Sequence, residues 1–163
     1  MRNFLTNKNI SKQIRKRGVK TFVWSVMTYG AEAWTISNTM EKRIEAFEMW
    51  CWRRMQKIAW TERKSNVEVL QSINTERELI KIIRTRQMSF LGHVMRRGEL
   101  ENLSLTGKIE GKRARGRQRD TFMKSLARIL DGNWTTGSLL QATADRKRWQ
   151  SIIANVRVDT THR

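Results

Sequence analysis

Not one proline interrupts this chain of 163 residues, and that absence constrains its architecture more than any other feature. Helices tolerate proline poorly, and loops and edge strands recruit it. Good helix formers fill most of the intervening positions, so an all-α fold is expected. Apolar residues recur at helical spacing in several stretches. From Ser11 one helix is expected through Ile14, Val19, Phe22, Val23 and Val26, ending at Tyr29-Gly30, although FVWSVM favours strands by propensity. Gly18 inside it costs about 1 kcal/mol relative to alanine. Asn38 and Glu41 have capping-box spacing, and Met40, Ile44, Phe47, Cys51, Met55 and Ile58 then fall on one face. Trp50 and Trp52 lie off that stripe.

Two more capping boxes follow. Ser65 and Glu68 open a short helix through Val69, Leu70 and Ile73. Thr75 and Glu78 open a longer one through Leu79, Ile82, Ile83, Phe90, Leu91 and Val94, with Gly98 as its C-terminal stop. A helix resumes near Thr121 and stops at Asp131-Gly132-Asn133. A single last helix is expected over 139–157. The fold class is therefore all-α, an irregular bundle of about five to six helices with a basic Gly/Arg-rich loop or arm.

Charge narrows the function. The chain has 33 Lys and Arg against 15 Asp and Glu, a net charge of +18, and a pI near 11.3. Such an excess implies a polyanionic partner. It is localised: residues 1–20 carry seven basic and no acidic side chains, and residues 106–128 carry eight basic and two acidic ones. Thirteen of the eighteen excess charges thus lie in two segments. The stretch TGKIEGKRARGRQR presents Lys108, Lys112, Arg113, Arg115, Arg117 and Arg119 with three glycines between them. If all six cations met phosphates, the log–log salt slope on duplex DNA would be about −5.

Catalytic chemistry finds no support. Two-metal phosphoryl transfer needs clustered carboxylates, and Asp120, Asp131, Asp145 and Asp159 are scattered. Zinc needs several Cys and His ligands, and Cys51, His93 and His162 are the whole supply. No phosphate-cradling glycine loop and no serine with a histidine partner stands out. We expect no enzyme, no metal, no cofactor and no small-molecule substrate. A lone cysteine, a polar basic N-terminus and no apolar stretch long enough for a membrane point to an intracellular protein, nuclear or cytoplasmic, without membrane association. Among the tryptophans, Trp24 and Trp149 sit in apolar helical patterns and read as core. Trp60, between basic residues and the TER tripeptide, is the first to test for base stacking.

Five segments together carry a resemblance: KTFVWSVMTYGAEAWT, EKRIEAFEMWCWRRMQKIAWTER, RTRQMSFLGHVMRR, TGKIEGKRARGRQR and ADRKRW. In this order and spacing they resemble the C-terminal end of endonuclease–reverse transcriptases of non-long-terminal-repeat retrotransposons of the RTE/BovB-like group, from about residue 10 to residue 157. The resemblance implies that Lys20 to Trp34 is part of the thumb, the helical element holding the template–primer duplex, and that the rest is the extension behind it. The catalytic palm and the endonuclease precede this region in the family. This chain has Gln118 where the family often has proline, Phe122 where it often has tryptophan, and Gly18 where it has an aliphatic residue. These departures, with Met1 falling inside the family pattern, point to a truncated or decayed copy. Apolar surface that once faced the palm, such as Phe22, Val23 and Trp24, is then expected to be exposed.

The resulting expectation divides the chain into a partial thumb-like helical region (1–36), a helical domain (37–105), a basic arm (106–120) and a C-terminal helical segment (121–163). The nucleic-acid-binding residues expected are Lys12, Arg15, Lys16, Arg17, Lys20, Arg53, Arg54, Arg96, Arg97 and the six cations of the arm. The partner expected is RNA, an RNA–DNA hybrid or DNA, held by its phosphate backbone with little sequence preference. Two alternatives stand beside it. One is a structural or interaction protein whose charge has no nucleic-acid role. The other is a helix-turn-helix DNA reader using Lys81 to Arg97 as recognition helix, against which Phe90, Leu91 and Val94 argue because they make that helix look buried on one face.

Overall fold

The computed structural model describes residues 2–7, 9–106, 121–130 and 134–159. Among them every regular element is helical, as the missing prolines predict. The expected arm, apart from Thr106, and the Asp131-Gly132-Asn133 stop lie outside the described residues. The helices are α1 (Arg2–Thr6), α2 (Lys12–Gly18), α3 (Asn38–Gln56), α4 (Asn66–Ser72), α5 (Leu79–Arg97), α6 (Leu100–Thr106), α7 (Phe122–Ala127), α8 (Thr136–Ala144) and α9 (Arg146–Asp159). They are more numerous and shorter than the periodicity implied. The expected last helix is two, because Asp145 leaves the helical conformation and its carboxylate accepts the N–H groups of Lys147 at 2.9 Å and Arg148 at 3.2 Å. An aspartate in that role starts a new helix.

Two compact units are interleaved along the chain: residues 1–29 with 38–82, and residues 30–37 with 83–163.

In the first unit, Ser11 caps α2 as expected, its hydroxyl accepting the Ile14 N–H at 3.3 Å. The helix then widens into π-helical turns over Val19–Trp24 before a last α-turn, Ser25–Met27. This changes which residues face inward. An extra residue per turn brings Val19 and Trp24, five apart, both into the core, where they are buried. Ile14, Phe22 and Val26, expected on the apolar face, are exposed instead. Of the three residues expected to face a missing palm, Phe22 is exposed, Val23 half-buried and Trp24 buried. Gly18 also has its reason here, since a Cβ would run into the Phe4 ring. On α3, Ile44, Cys51 and Met55 are buried as expected, and Trp52 joins them. Trp52 meets Trp24 edge to face with ring centroids 5.3 Å apart, a favourable arrangement for aromatic quadrupoles.

The start of α5 departs from the sequence pattern. Thr75 and Glu78 do not form its capping box; the helix begins at Leu79. Its first N–H groups are accepted by Glu48, buried on α3: Glu78 N–H meets Oε1 at 2.8 Å and Leu79 N–H meets Oε2 at 3.2 Å. A carboxylate at a helix N-terminus satisfies orphan donors and complements the dipole. Burial raises the Glu48 pKa, against the pull of those two N–H groups. The neighbouring Cys51 thiol is pushed up to about 11 by burial and by the Glu48 charge, so it is protonated and inert at neutral pH.

In the second unit, Met88, Leu91, Leu126, Leu139 and Trp149 centre the core. The indole N–H of Trp149 donates to the Met88 carbonyl at 2.9 Å. Gly92 lets it do so, because a Cβ there would fall on the indole ring. The irregular stretch 30–37 is held by neutral side chains. Gln87 donates to the carbonyls of Ala31 at 3.2 Å and Trp34 at 2.7 Å, and Ser125 donates to that of Ile36 at 2.8 Å.

Candidate nucleic-acid interface

The cations of α2 are where a binding footprint was expected, and the fold engages several of them internally. Arg15 donates from Nη1 to the Leu5 carbonyl at 3.1 Å and the Met55 carbonyl at 2.8 Å. Lys16 donates to the carbonyls of Ile73 at 3.3 Å and Asn74 at 2.9 Å. These acceptors lie at the C-terminal ends of α1, α3 and α4, where carbonyls lack intrahelical partners and the dipole is negative. Lys20 pairs with Glu78 at 2.6 Å. The basic run of α2 is thus in part a set of helix-end caps. Lys12 and Arg17, by contrast, are exposed.

The C-terminal end of α3 presents a different arrangement. Trp60 is 95% exposed. It stands at the start of a short 3₁₀ turn, Trp60–Glu62, closed by the Ala59 N–H donating to the Glu62 carboxylate at 2.9 Å. Lys57 and Arg63, on either side, adopt left-handed backbone conformations with φ of 58° and 44°, which non-glycine residues adopt at some cost. An open groove of about 650 Å³ runs between α3 and this loop, lined by Trp50, Arg53, Arg54, Trp60 and Arg77 among others. Trp50 is 58% exposed and stacks on Phe47 with centroids 6.1 Å apart. Arg53 is fixed by the Lys64 carbonyl at 2.7 Å and the Asn66 side chain at 3.0 Å. Arg77 pairs with Glu45 at 3.0 Å, and Lys64 with Glu62 at 2.7 Å. Lys42, Arg54, Lys57 and Arg63 are exposed. Hydrogen bonds to the Glu62 carboxylate from Lys64 and then Ala59 hold its pKa below the ordinary value.

The sequence singles out Arg53, Arg54 and Trp60, and places Lys57 beside the two arginines at the helix end without counting it as a binding residue; Lys42, Arg63 and Lys64 were missed. The signal was present: residues 53–64 hold five basic side chains and one acidic.

In the second unit, Arg96 donates to the Thr143 carbonyl near the end of α8 at 3.1 Å and is itself exposed, as are Arg97 and His93. Arg84 and Gln87, two of the α5 residues of types suited to reading base edges, are buried and bonded within the unit, while Arg86 on the same helix is exposed. Lys108, Lys112, Arg113, Arg115, Arg117 and Arg119 lie outside the described residues. Among the described residues no group of three or more His, Cys, Asp or Glu side chains is placed to hold a metal ion, and no helix is long and apolar enough to cross a membrane.

No family model matches the chain, and no solved structure matches it. It is similar to an uncharacterized transposon-derived protein of Caenorhabditis elegans, 25% identical over 158 residues, a match covering 91% of this chain and 57% of that relative. The chain therefore spans little more than half of the relative's length. This likeness supports a transposon-related origin.

Proposed function

We propose that this chain binds the phosphate backbone of nucleic acid without catalysing a reaction, as the thumb and post-thumb portion of a non-long-terminal-repeat retrotransposon reverse transcriptase. The observation that carries the reading is the net charge of +18 on a helical scaffold that leaves Lys12, Arg17, Arg54, Lys57, Arg63 and Arg97 exposed. A polyanion that releases counterions is the partner such a surface binds best. The transposon-derived relative is consistent with a partner that is the RNA of an element, or the RNA–DNA hybrid formed on it. In the reverse transcription that the resemblance implies, the chain grips the duplex or template while chemistry takes place on a separate palm.

Filter binding of the full chain to RNA, RNA–DNA hybrid and duplex DNA across a salt series tests this. The expected result is tight binding at low salt with a steep negative log–log slope, flattened when Arg113, Arg115, Arg117 and Arg119 are replaced by alanine. Binding that is absent, or independent of salt, overturns the proposal.

A further inference from the structure

We propose that the groove between α3 and the 57–65 loop is a binding site for single-stranded nucleic acid, with one unpaired base stacked on Trp60 and its flanking phosphates on Arg54, Lys57 and Arg63. The inference deepens the nucleic-acid reading and rests on it.

Three observations lead there. The first is the presentation of Trp60. An indole 95% exposed forgoes nearly all the burial that normally justifies a tryptophan. Yet it is not on a loose tail: the 3₁₀ turn, the Glu62 clasp on the Ala59 N–H and two left-handed residues hold the backbone around it. An outward, accessible aromatic face is what base stacking requires. The second is charge. Five cations against one carboxylate lie within residues 53–64, and that carboxylate is occupied by Lys64 and the Ala59 N–H. Arg54, Lys57 and Arg63 are exposed and keep their charge available. The third is shape. Trp60 lines the groove of about 650 Å³ together with Arg53 and Asn66, and the same three residues line a second hollow of about 750 Å³ bordered by Arg63 and Lys64. The indole thus stands between two basic hollows, the arrangement that lets a strand pass over the ring with phosphates on both sides.

The occupant follows from the same chemistry. A duplex hides its base faces in the stack, so it offers phosphates to the cations but nothing to the indole. A single strand offers both. An acidic peptide matches the charge but supplies no flat face to stack on Trp60. Sequence preference is expected to be weak, because every base has a π-face.

The test uses the full chain with fluorescein-labelled oligo(dT) and oligo(rU) of about 12 nucleotides, a length a small binding surface spans, and a duplex of equal length. Replacing a side chain this exposed leaves stability nearly unchanged, which a thermal melt verifies. Trp60→Ala is expected to weaken single-strand binding about ten-fold or more, Trp60→Phe to restore most of it, and duplex binding to change less than about two-fold. Arg54→Ala, Lys57→Ala and Arg63→Ala should each reduce the single-strand salt slope by about 0.7. Equal losses on single strand and duplex, or no loss on either while the wild type binds, overturn the stacking site and leave backbone binding standing. A wild type that binds neither overturns both readings. A Trp60→Ala variant that keeps its oligonucleotide affinity but loses self-association in sedimentation assigns the face to a second copy of this chain.

Discussion

The two compact units bury tryptophan in opposite ways. In the first, Trp24 and Trp52 pack edge to face, and Trp24 leaves its indole N–H without an acceptor among the described residues. Ionisable side chains hold the helices around them: Arg15 and Lys16 on helix C-termini, Glu48 on a helix N-terminus. In the second, Trp149 is hydrogen-bonded to the Met88 carbonyl and keyed against Gly92. Neutral Gln87 and Ser125 secure the irregular stretch beside it. Ionisable groups at helix ends thus hold the first unit, whereas the second combines shape and neutral hydrogen bonds at Trp149, Gln87 and Ser125 with a buried arginine, Arg84, and charged helix-end contacts of its own at Arg96 and Asp145. A basic composition therefore does not translate residue by residue into a binding surface, because helices consume cations at their own termini.

The sharpest way to break this contrast is at Glu48. Glu48→Ala removes the acceptor of two N–H groups at the buried start of α5 and is expected to cost about 3 kcal/mol, read as a shift in denaturant midpoint. The pH dependence carries a sign. Burial raises the folded-state pKa, so the carboxyl favours folding most when it holds its proton. That contribution is complete below the ordinary carboxylate range, about pH 4, and is lost as pH rises through the raised folded value. The stability difference between wild type and Glu48→Gln should therefore fall over that interval. A difference that is constant or rises would show that the two N–H groups, not burial, govern this carboxylate.

The matching test of the second unit is Gly92→Ala. A methyl group there displaces the Trp149 indole and with it the bond to Met88, so about 1–3 kcal/mol is expected from overpacking. The methyl group's nearest neighbours are the Trp149 indole and the Arg96 guanidinium, with no carboxylate or imidazole among them, so the loss should be the same at pH 4 and pH 7. A neutral substitution would mean that the indole has another seat.

Much of the helical framework was legible because it is local. Ser11, Ser65 and Thr121 cap the helices that follow them, and Gly30 and Gly98 take left-handed conformations where helices were expected to stop. Three features were not legible, and each depends on something distant or on a departure from the α period. The cap of α5 comes from Glu48, thirty residues before Glu78. The π-turns over Val19–Trp24 change which residues of α2 face inward. The helix-end partners of Arg15 and Lys16 lie about forty and fifty-eight residues away along the chain. The candidate site was half legible: Trp60, Arg53 and Arg54 stood out and Lys57 follows them at the helix end, while Arg63 joins them only once the loop's backbone folds back beside α3.

The smallest effect tests the lesson directly, on two neighbours in one helix. Lys16 and Arg17 look equivalent in the run KQIRKR. Lys16 donates to two carbonyls at the end of α4, while Arg17 is exposed. Lys16→Met should cost about 1 kcal/mol of stability through those lost bonds and leave the salt slope of duplex binding unchanged. Arg17→Met should stay within about 0.5 kcal/mol of wild type and lower the slope by about 0.9 if its charge meets a phosphate. Denaturation and salt titration of the two variants separate capping from binding. If both move stability and neither moves the slope, the whole cationic face of α2 is structural, and nucleic-acid contact shifts to the α3 groove and the 106–120 arm.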